Sequence, residues 1–243
     1  MCIRDSPSMD TEYEAGVEMG KFFADKGIKT AAIYGTFIPN PMHVYRTAGV
    51  LAGLGLSYGG ATTEEDVVGL IFADQGIDLS KISGDIKIVS YLQGYGDTTT
   101  DEINAAIQAA PEAFISVGMA TTFFTQQLNA AGIEFSDIDS FTKSNGEAIT
   151  NGKLVYLAGK YSSSVGPAFA LVMNAINGNV IRDAQGNAVS LSQNYQVATD
   201  SETFDKFYKN DNGDNPIYSR DTLDQIIGDT VTFDTINEVV ASN

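Results

Sequence analysis

Short apolar runs alternate with amphipathic stretches along most of the chain, regularly enough to predict the elements in turn. Asp10 opens a capped segment in which Tyr13, Val17, Met19, Gly20 and Phe23 recur at helical spacing, closed by Gly27. Residues 29–34 (KTAAIY) form an apolar run ending at Gly35. The turn-rich FIPNP comes next, and residues 43–56 return to helical periodicity. The same unit then recurs. Residues 86–92 (IKIVSYL) lead through a Gly-Tyr-Gly loop to a helix over 100–109, and 113–117 (AFISV) lead through Gly118 to a helix over 121–131. Residues 137–141 precede a helix over 144–150, and 153–158 (KLVYLA) precede one over 165–176 that stops at Gly178.

Five strand-then-helix units in succession predict a parallel sheet, because each right-handed crossover between parallel strands needs about a helix of chain. The expected fold class is α/β: a doubly wound parallel sheet in a three-layer α/β/α arrangement. In such sheets ligands lie beyond the carboxyl ends of the strands. The functional candidates are therefore the loops FIPNPMH, QGYGDTT, GMATT, FTKSN and GKYSSS.

After Gly178 the rhythm breaks. RDAQGNA reads as a turn, SLSQNYQVATD alternates like a strand, and an acidic, Asn-rich stretch runs to Asn215 before two short amphipathic segments. An apolar strand leaving a finished α/β domain suggests a chain that crosses to a neighbour outside this sequence. Residues 1–6 do not fit the pattern of the rest of the chain and resemble translated sequencing-adapter read-through, so they are set aside as a non-native scar. The natural start, with any signal sequence, is then expected upstream.

Composition narrows the function. With 31 Asp plus Glu against 14 Lys plus Arg, the formal charge of −17 repels phosphate backbones, so no nucleic-acid partner is expected. Cys2 is the single cysteine, which excludes a disulfide framework or thiolate cluster. No run of about 18 apolar residues occurs. Neither a metal site nor a cofactor is expected, since His43, the single histidine, has no spaced partner.

Three stretches carry a family resemblance: DTEYEAGVEMGKFFADKGIKTAAIYGTFIPNPMHVYRTAGVLAGL, AAPEAFISVGMATTFFTQQLNAAGI and NGKLVYLAGKYSSSVGPAFALVMNAINGN. In order and pattern they resemble the second lobe of ribose- and galactose-type periplasmic binding proteins of the type I class, over residues 10–200. The resemblance implies a non-enzymatic, monomeric receptor that clamps a small sugar-like molecule between two lobes and serves an ABC transporter permease. It also implies an extracytoplasmic location, free or lipid-anchored. Residues 7–188 would form the second lobe, and 189–243 a return crossing and a tail packing toward a first lobe missing from the chain. Crossings between lobes would fall near residues 8–11, 160–164 and 190–200.

The strand-end loops and the resemblance together mark Asn40, His43, Arg46, Tyr95, Met119, Asp139, Phe141 and Lys160 as candidate ligand contacts. Each also has a plainer reading. An amide such as Asn40 suits hydroxyl ligands, yet it equally stabilises a Pro-flanked turn. Arg46 offers a fork for vicinal hydroxyls or a carboxylate, or else an ion pair. Lys160 falls where sugar-binding relatives carry a hinge amide, and its plain reading is a lysine reaching out to solvent. Gly118 and Met119 stand where relatives have an Asn-Asp pair. Ser140 and Phe141 stand where they have an aspartate, leaving Asp139 as a replacement contact or a cap. With no tryptophan, a stacking platform must come from Tyr95, Tyr161 or Phe37.

Other motifs carry less. The Ser-x-x-Lys at Ser140–Lys143 lacks its companion elements, and residues 211–215 lack calcium-loop spacing. A P-loop, a dinucleotide fingerprint and Gly-x-Ser-x-Gly are absent from the sequence. The alternative reading is the effector domain of a LacI-type regulator; the more than 40 residues after Asp200 argue against it.

Overall fold

The computed structural model describes residues 9–95, 98–191, 193–214 and 216–241. The expected scar at 1–6, and Gly96 and Asp97 of the second candidate loop, lie outside the described residues. Eleven α-helices are described: α1 (Met9–Asp25), α2 (Pro41–Gly53), α3 (Glu64–Asp74), α4 (Thr98–Gln108), α5 (Ala120–Phe123), α6 (Thr125–Ala131), α7 (Lys143–Asn151), α8 (Val165–Ile176), α9 (Ser201–Asn212), α10 (Arg220–Asp224) and α11 (Phe233–Ala241). The strands are β1 (Thr30–Tyr34), β2 (Ser57–Tyr58), β3 (Ile82–Ser83), β4 (Lys87–Leu92), β5 (Ala113–Ser116), β6 (Glu134–Ile138), β7 (Leu154–Gly159) and β8 (Gln196–Ala198).

The main sheet has the order β4-β1-β5-β6-β7-β8, with the first five strands parallel and β8 antiparallel to β7. Strand alternation divides the core. Ala31 and Ile33 of β1, Ala113 and Ile115 of β5, and Tyr156 and Ala158 of β7 pack into one cluster with α1, α2 and α3. Ala32 and Tyr34, and Phe114, point the other way, into a cluster with residues of α4, α6, α7 and α9; Leu154 and Leu157 join it because the register of β7 skips a residue at Val155. Both faces being buried explains why these strands read as continuous apolar runs.

Three expectations shift, and one unread stretch gains structure. Residues 57–83, which the periodicity left unread, form α3 and a small antiparallel sheet of β2 with β3. The helix expected over 121–131 is broken into α5 and α6 at Phe124, whose backbone leaves the helical region (φ −126°, ψ −1°) and whose ring is buried beside Tyr34 and Phe114. The strand expected over 137–141 ends earlier, at Ile138. The strand expected to seek a partner outside the sequence finds one within it: Val197 of β8 pairs with Ala158. An exposed edge of β7 is the nearest unpaired ladder, and the returning chain closes it.

A third cluster stands apart from the sheet. Ala170 and Leu171 of α8 pack with Val189, Leu191, Ile226 and Ile236, bringing α10 and α11 onto α8. The chain thus leaves the sheet after β7, begins this smaller body with α8, returns through β8 and α9, and leaves again to complete the body with α10 and α11. The tail expected to pack toward a missing lobe packs on α8 and, through α9, on the sheet.

Candidate functional site

The carboxyl ends of β4, β1, β5, β6 and β7 lie along one edge, so the loops that leave them converge there. Phe37 after β1 and Tyr95 after β4 are each 44% exposed and stack with ring centroids 5.7 Å apart at 23°. Phe123 of α5 extends the group, 5.9 Å from Tyr95. The result is an aromatic ledge. Adjacent strands of the sheet carry it, and it is braced by the Tyr34 hydroxyl donating to the Gly94 carbonyl at 2.8 Å.

Two residues at this edge hold left-handed backbone without being glycine: Thr36 (φ 57°) and Met119 (φ 68°). Such conformations cost about 1–3 kcal/mol and persist where surrounding contacts fix them. Thr36 donates from Oγ1 to the Gly118 carbonyl at 2.7 Å, tying the β1 and β5 loops together. Met119 precedes α5, so the strain sets the direction in which α5 leaves the strand.

Beside them is an acidic patch. The wholly buried Asp137 accepts from Ser116 Oγ (3.0 Å), Thr121 N (2.7 Å), Thr121 Oγ1 (2.8 Å) and its neighbour Ile138 N (3.0 Å). Burial pushes its carboxyl up to about 6, with nearby Asp139 adding to the shift and the hydrogen bonds opposing it. Asp139 accepts from Ser140 N at 2.7 Å and lies 3.3 Å from Thr121 Oγ1.

The joint between sheet and smaller body holds a denser network. Glu12, on the first turn of α1, is 1% exposed and accepts from Arg46 Nε at 2.6 Å, Tyr195 Oη at 2.7 Å and Lys160 Nζ at 3.3 Å. Arg46 also donates to the Val117 carbonyl (3.0 Å) and the Tyr195 hydroxyl (2.6 Å), and the Lys160 ammonium sits 4.3 Å from the Tyr195 ring centre. Burial alone would raise the Glu12 carboxyl, but Arg46, the Tyr195 hydroxyl and Lys160 outweigh it and hold the pKa below the usual value.

Each expected contact has a definite place. Asn40 caps α2, its side chain accepting from Met42 N at 3.0 Å, a role worth about 1 kcal/mol. His43 is buried with Nδ1 on the Phe37 backbone, and burial lowers its pKa. It thereby fixes the loop that carries the Phe37 ring. Arg46 is buried in the Glu12 network. Phe141 turns away from the edge and packs among Tyr161, Phe204 and Phe207, because α9 covers that side of the sheet; Tyr161 is buried with it. Tyr95, Met119, Asp139 and Lys160 remain at the edge. The residues unforeseen from sequence are Glu12, Thr36, Phe123 and Tyr195. Of these, Phe123 carried a readable signal, an aromatic just after a strand-end glycine. Among the described residues, no group of three or more His, Cys, Asp or Glu could hold a metal ion.

No family model and no curated protein matches the sequence. Solved structures do match the fold. One is an ABC transporter periplasmic solute binding protein from Actinobacillus succinogenes with bound D-allose (TM-score 0.53, 16% identity, 81% of this chain and 61% of that one). Another is the periplasmic binding protein of the arabinose ABC transporter from Shewanella sp. ANA-3, bound to L-arabinofuranose (0.53, 17%, 83% and 61%). A galactofuranose binding protein gives 0.56 at 10% identity, over 82% of this chain and 62% of that one. The fold is that of a type I periplasmic binding protein. The chain spans about three fifths of the length of those solved chains. In it, the aromatic ledge occupies the strand-end edge where open α/β sheets receive ligands.

Proposed function

We propose that the chain forms one lobe of an extracytoplasmic receptor that clamps a sugar, or a similar polyhydroxylated molecule, for an ABC transporter permease. The observation that carries the reading is the ledge of Phe37 and Tyr95, exposed stacked rings, with the half-buried ring of Phe123 beside them; Asp139 and Lys160 follow strands that end on the same edge. Rings stack on the C–H face of a sugar, while a few placed donors and acceptors select its hydroxyls. The three solved chains compared above are described as binding proteins, two of them with a bound sugar. Binding without turnover also suits His43, the one histidine of the sequence, whose Nδ1 is engaged by the loop it holds.

A two-lobed clamp is supported by α8. Beyond its packed side it presents Val165, Phe169 and Ile176, with Val180 just after, each more than half exposed. A helix apolar on two sides is a helix covered on two sides. We assign that face to the other lobe. On this reading the smaller body belongs with that lobe, and the lobe boundary falls at Lys160, ahead of the 188 expected from sequence.

The test is an amide-resolved NMR titration with D-allose and with L-arabinose at about 10 mM, enough to populate a site bound by only about −3 kcal/mol. Shifts should centre on the Phe37, Tyr95 and Phe123 amides and disappear in Tyr95→Ala. A silent strand-end edge with both sugars would sink the reading.

A further inference from the structure

The chain passes out of the sheet body at Lys160 and comes back at Tyr195, and both residues meet a single buried carboxylate. Glu12 Oε2 takes the two short bonds, from Arg46 Nε (2.6 Å) and Tyr195 Oη (2.7 Å). Glu12 Oε1 takes the longer one, from Lys160 Nζ at 3.3 Å. The environments differ as well, since the Arg46 side chain is 8% exposed and that of Lys160 is 21%. A long, partly hydrated ion pair is weaker than a short, dry, charge-assisted hydrogen bond.

We propose that Glu12 is the positioning residue of this joint. It fixes Lys160 and Tyr195 relative to the α1–α2 pair, with Arg46–Glu12–Tyr195 as the permanent arm and Lys160–Glu12 as the arm that releases when the two bodies move. Arg46 extends the permanent arm to the end of β5 through the Val117 carbonyl, so the joint is referred to the same strand ends that carry the ledge. Calling the joint a hinge rests on the receptor reading. The contacts themselves require no ligand, so they are tested without one, and failure here is distinguishable from failure of that reading.

The measurement is hydrogen exchange by mass spectrometry on the full chain, comparing wild type with Glu12→Gln, Lys160→Met, Tyr195→Phe and the Glu12→Gln/Lys160→Met double variant. Glu12→Gln should speed exchange at both 161–164 and 196–198 by about tenfold or more, the scale of losing a buried charge partner, while β1 and β5 stay protected. Lys160→Met should affect 161–164 more than 196–198, where it removes only the contact of the ammonium with the Tyr195 ring, and Tyr195→Phe should affect 196–198. The double variant should match Glu12→Gln at 161–164, because Lys160 acts there through Glu12. Unchanged exchange at both segments in Glu12→Gln, or loosening of β1 and β5 to the same degree, would overturn the proposal. So would additive effects in the double variant. Should Glu12→Gln not fold, unchanged protection in both Lys160→Met and Tyr195→Phe overturns it independently.

Discussion

Gly49 of α2 lies directly against Gly16 of α1: a Cβ on Gly49 would stand 3.0 Å from the Gly16 Cα and 2.1 Å from the Tyr13 carbonyl oxygen. Gly20 and Gly53 repeat the contact one turn on, so the two backbones touch along their length. This approach brings Glu12, one turn before Gly16, onto Arg46, three residues before Gly49. The ion pair is a consequence of glycine spacing on both helices.

Gly49→Ala should therefore destabilise the chain by about 1–3 kcal/mol or more, because backbone atoms on α1 have to move. The comparison is Gly69→Ala on α3, where a Cβ meets nothing within 4 Å. There the gain in helix propensity should stabilise by up to about 1 kcal/mol. Urea unfolding of the two variants checks the contrast, and equal effects would contradict the packing argument.

Asp137 predicts a pH dependence of stability. Its carboxyl is raised from 3.8 to about 6 in the folded chain. A raised group binds its proton more tightly when folded, so its contribution is complete below about 4 and is lost as pH rises through about 6. The size is on the order of 2–3 kcal/mol. The facing groups are Ser116, Thr121 and Asp139. Unfolding free energies at pH 4 and pH 7 should differ by less in Asp137→Asn than in wild type.

Glu12 acts with the opposite sign. Its folded pKa is lowered, so its contribution stands above the ordinary carboxyl range and disappears as pH falls through the folded value. Arg46, Lys160, Tyr195 and His43 are the charged or titratable groups around it. Glu12→Gln should flatten the acid side of the stability profile, followed by circular dichroism between pH 5 and 2, about where carboxyls titrate.

Met119→Gly relieves left-handed strain and should raise stability by up to about 1 kcal/mol. If that strain aims α5 and Phe123 at the ligand edge, the same change should weaken sugar binding. A variant both more stable and equally competent in the NMR titration would argue that the strain has no part in binding.

Lys160→Met should weaken sugar binding by roughly tenfold, the worth of one charge-assisted hydrogen bond. Lys160→Gln should be nearly neutral if the contact is to a neutral hydroxyl. Stability should change little in either, because Glu12 retains Arg46 and Tyr195. An unchanged dissociation constant in Lys160→Met would remove Lys160 from the ligand edge.

The sequence by itself determined the parallel run of the five strand-helix units and the edge on which their strand-end loops meet, because the alternation of apolar runs with helical periodicity is local and each crossover has one allowed hand. It placed Tyr95, Asp139 and Lys160 at strand ends for the same reason. Only the tertiary structure decided which side chains face out. Phe141 is core because α9, from sixty residues later, covers it, and Arg46 is an ion-pair partner because α1 approaches within glycine contact. The closing of β7 by β8, and the joining of Glu12 to Lys160 and Tyr195, bring together positions 148 and 183 residues apart. Periodicity has no reach over such separations, since what selects those partners is the shape of the packed chain.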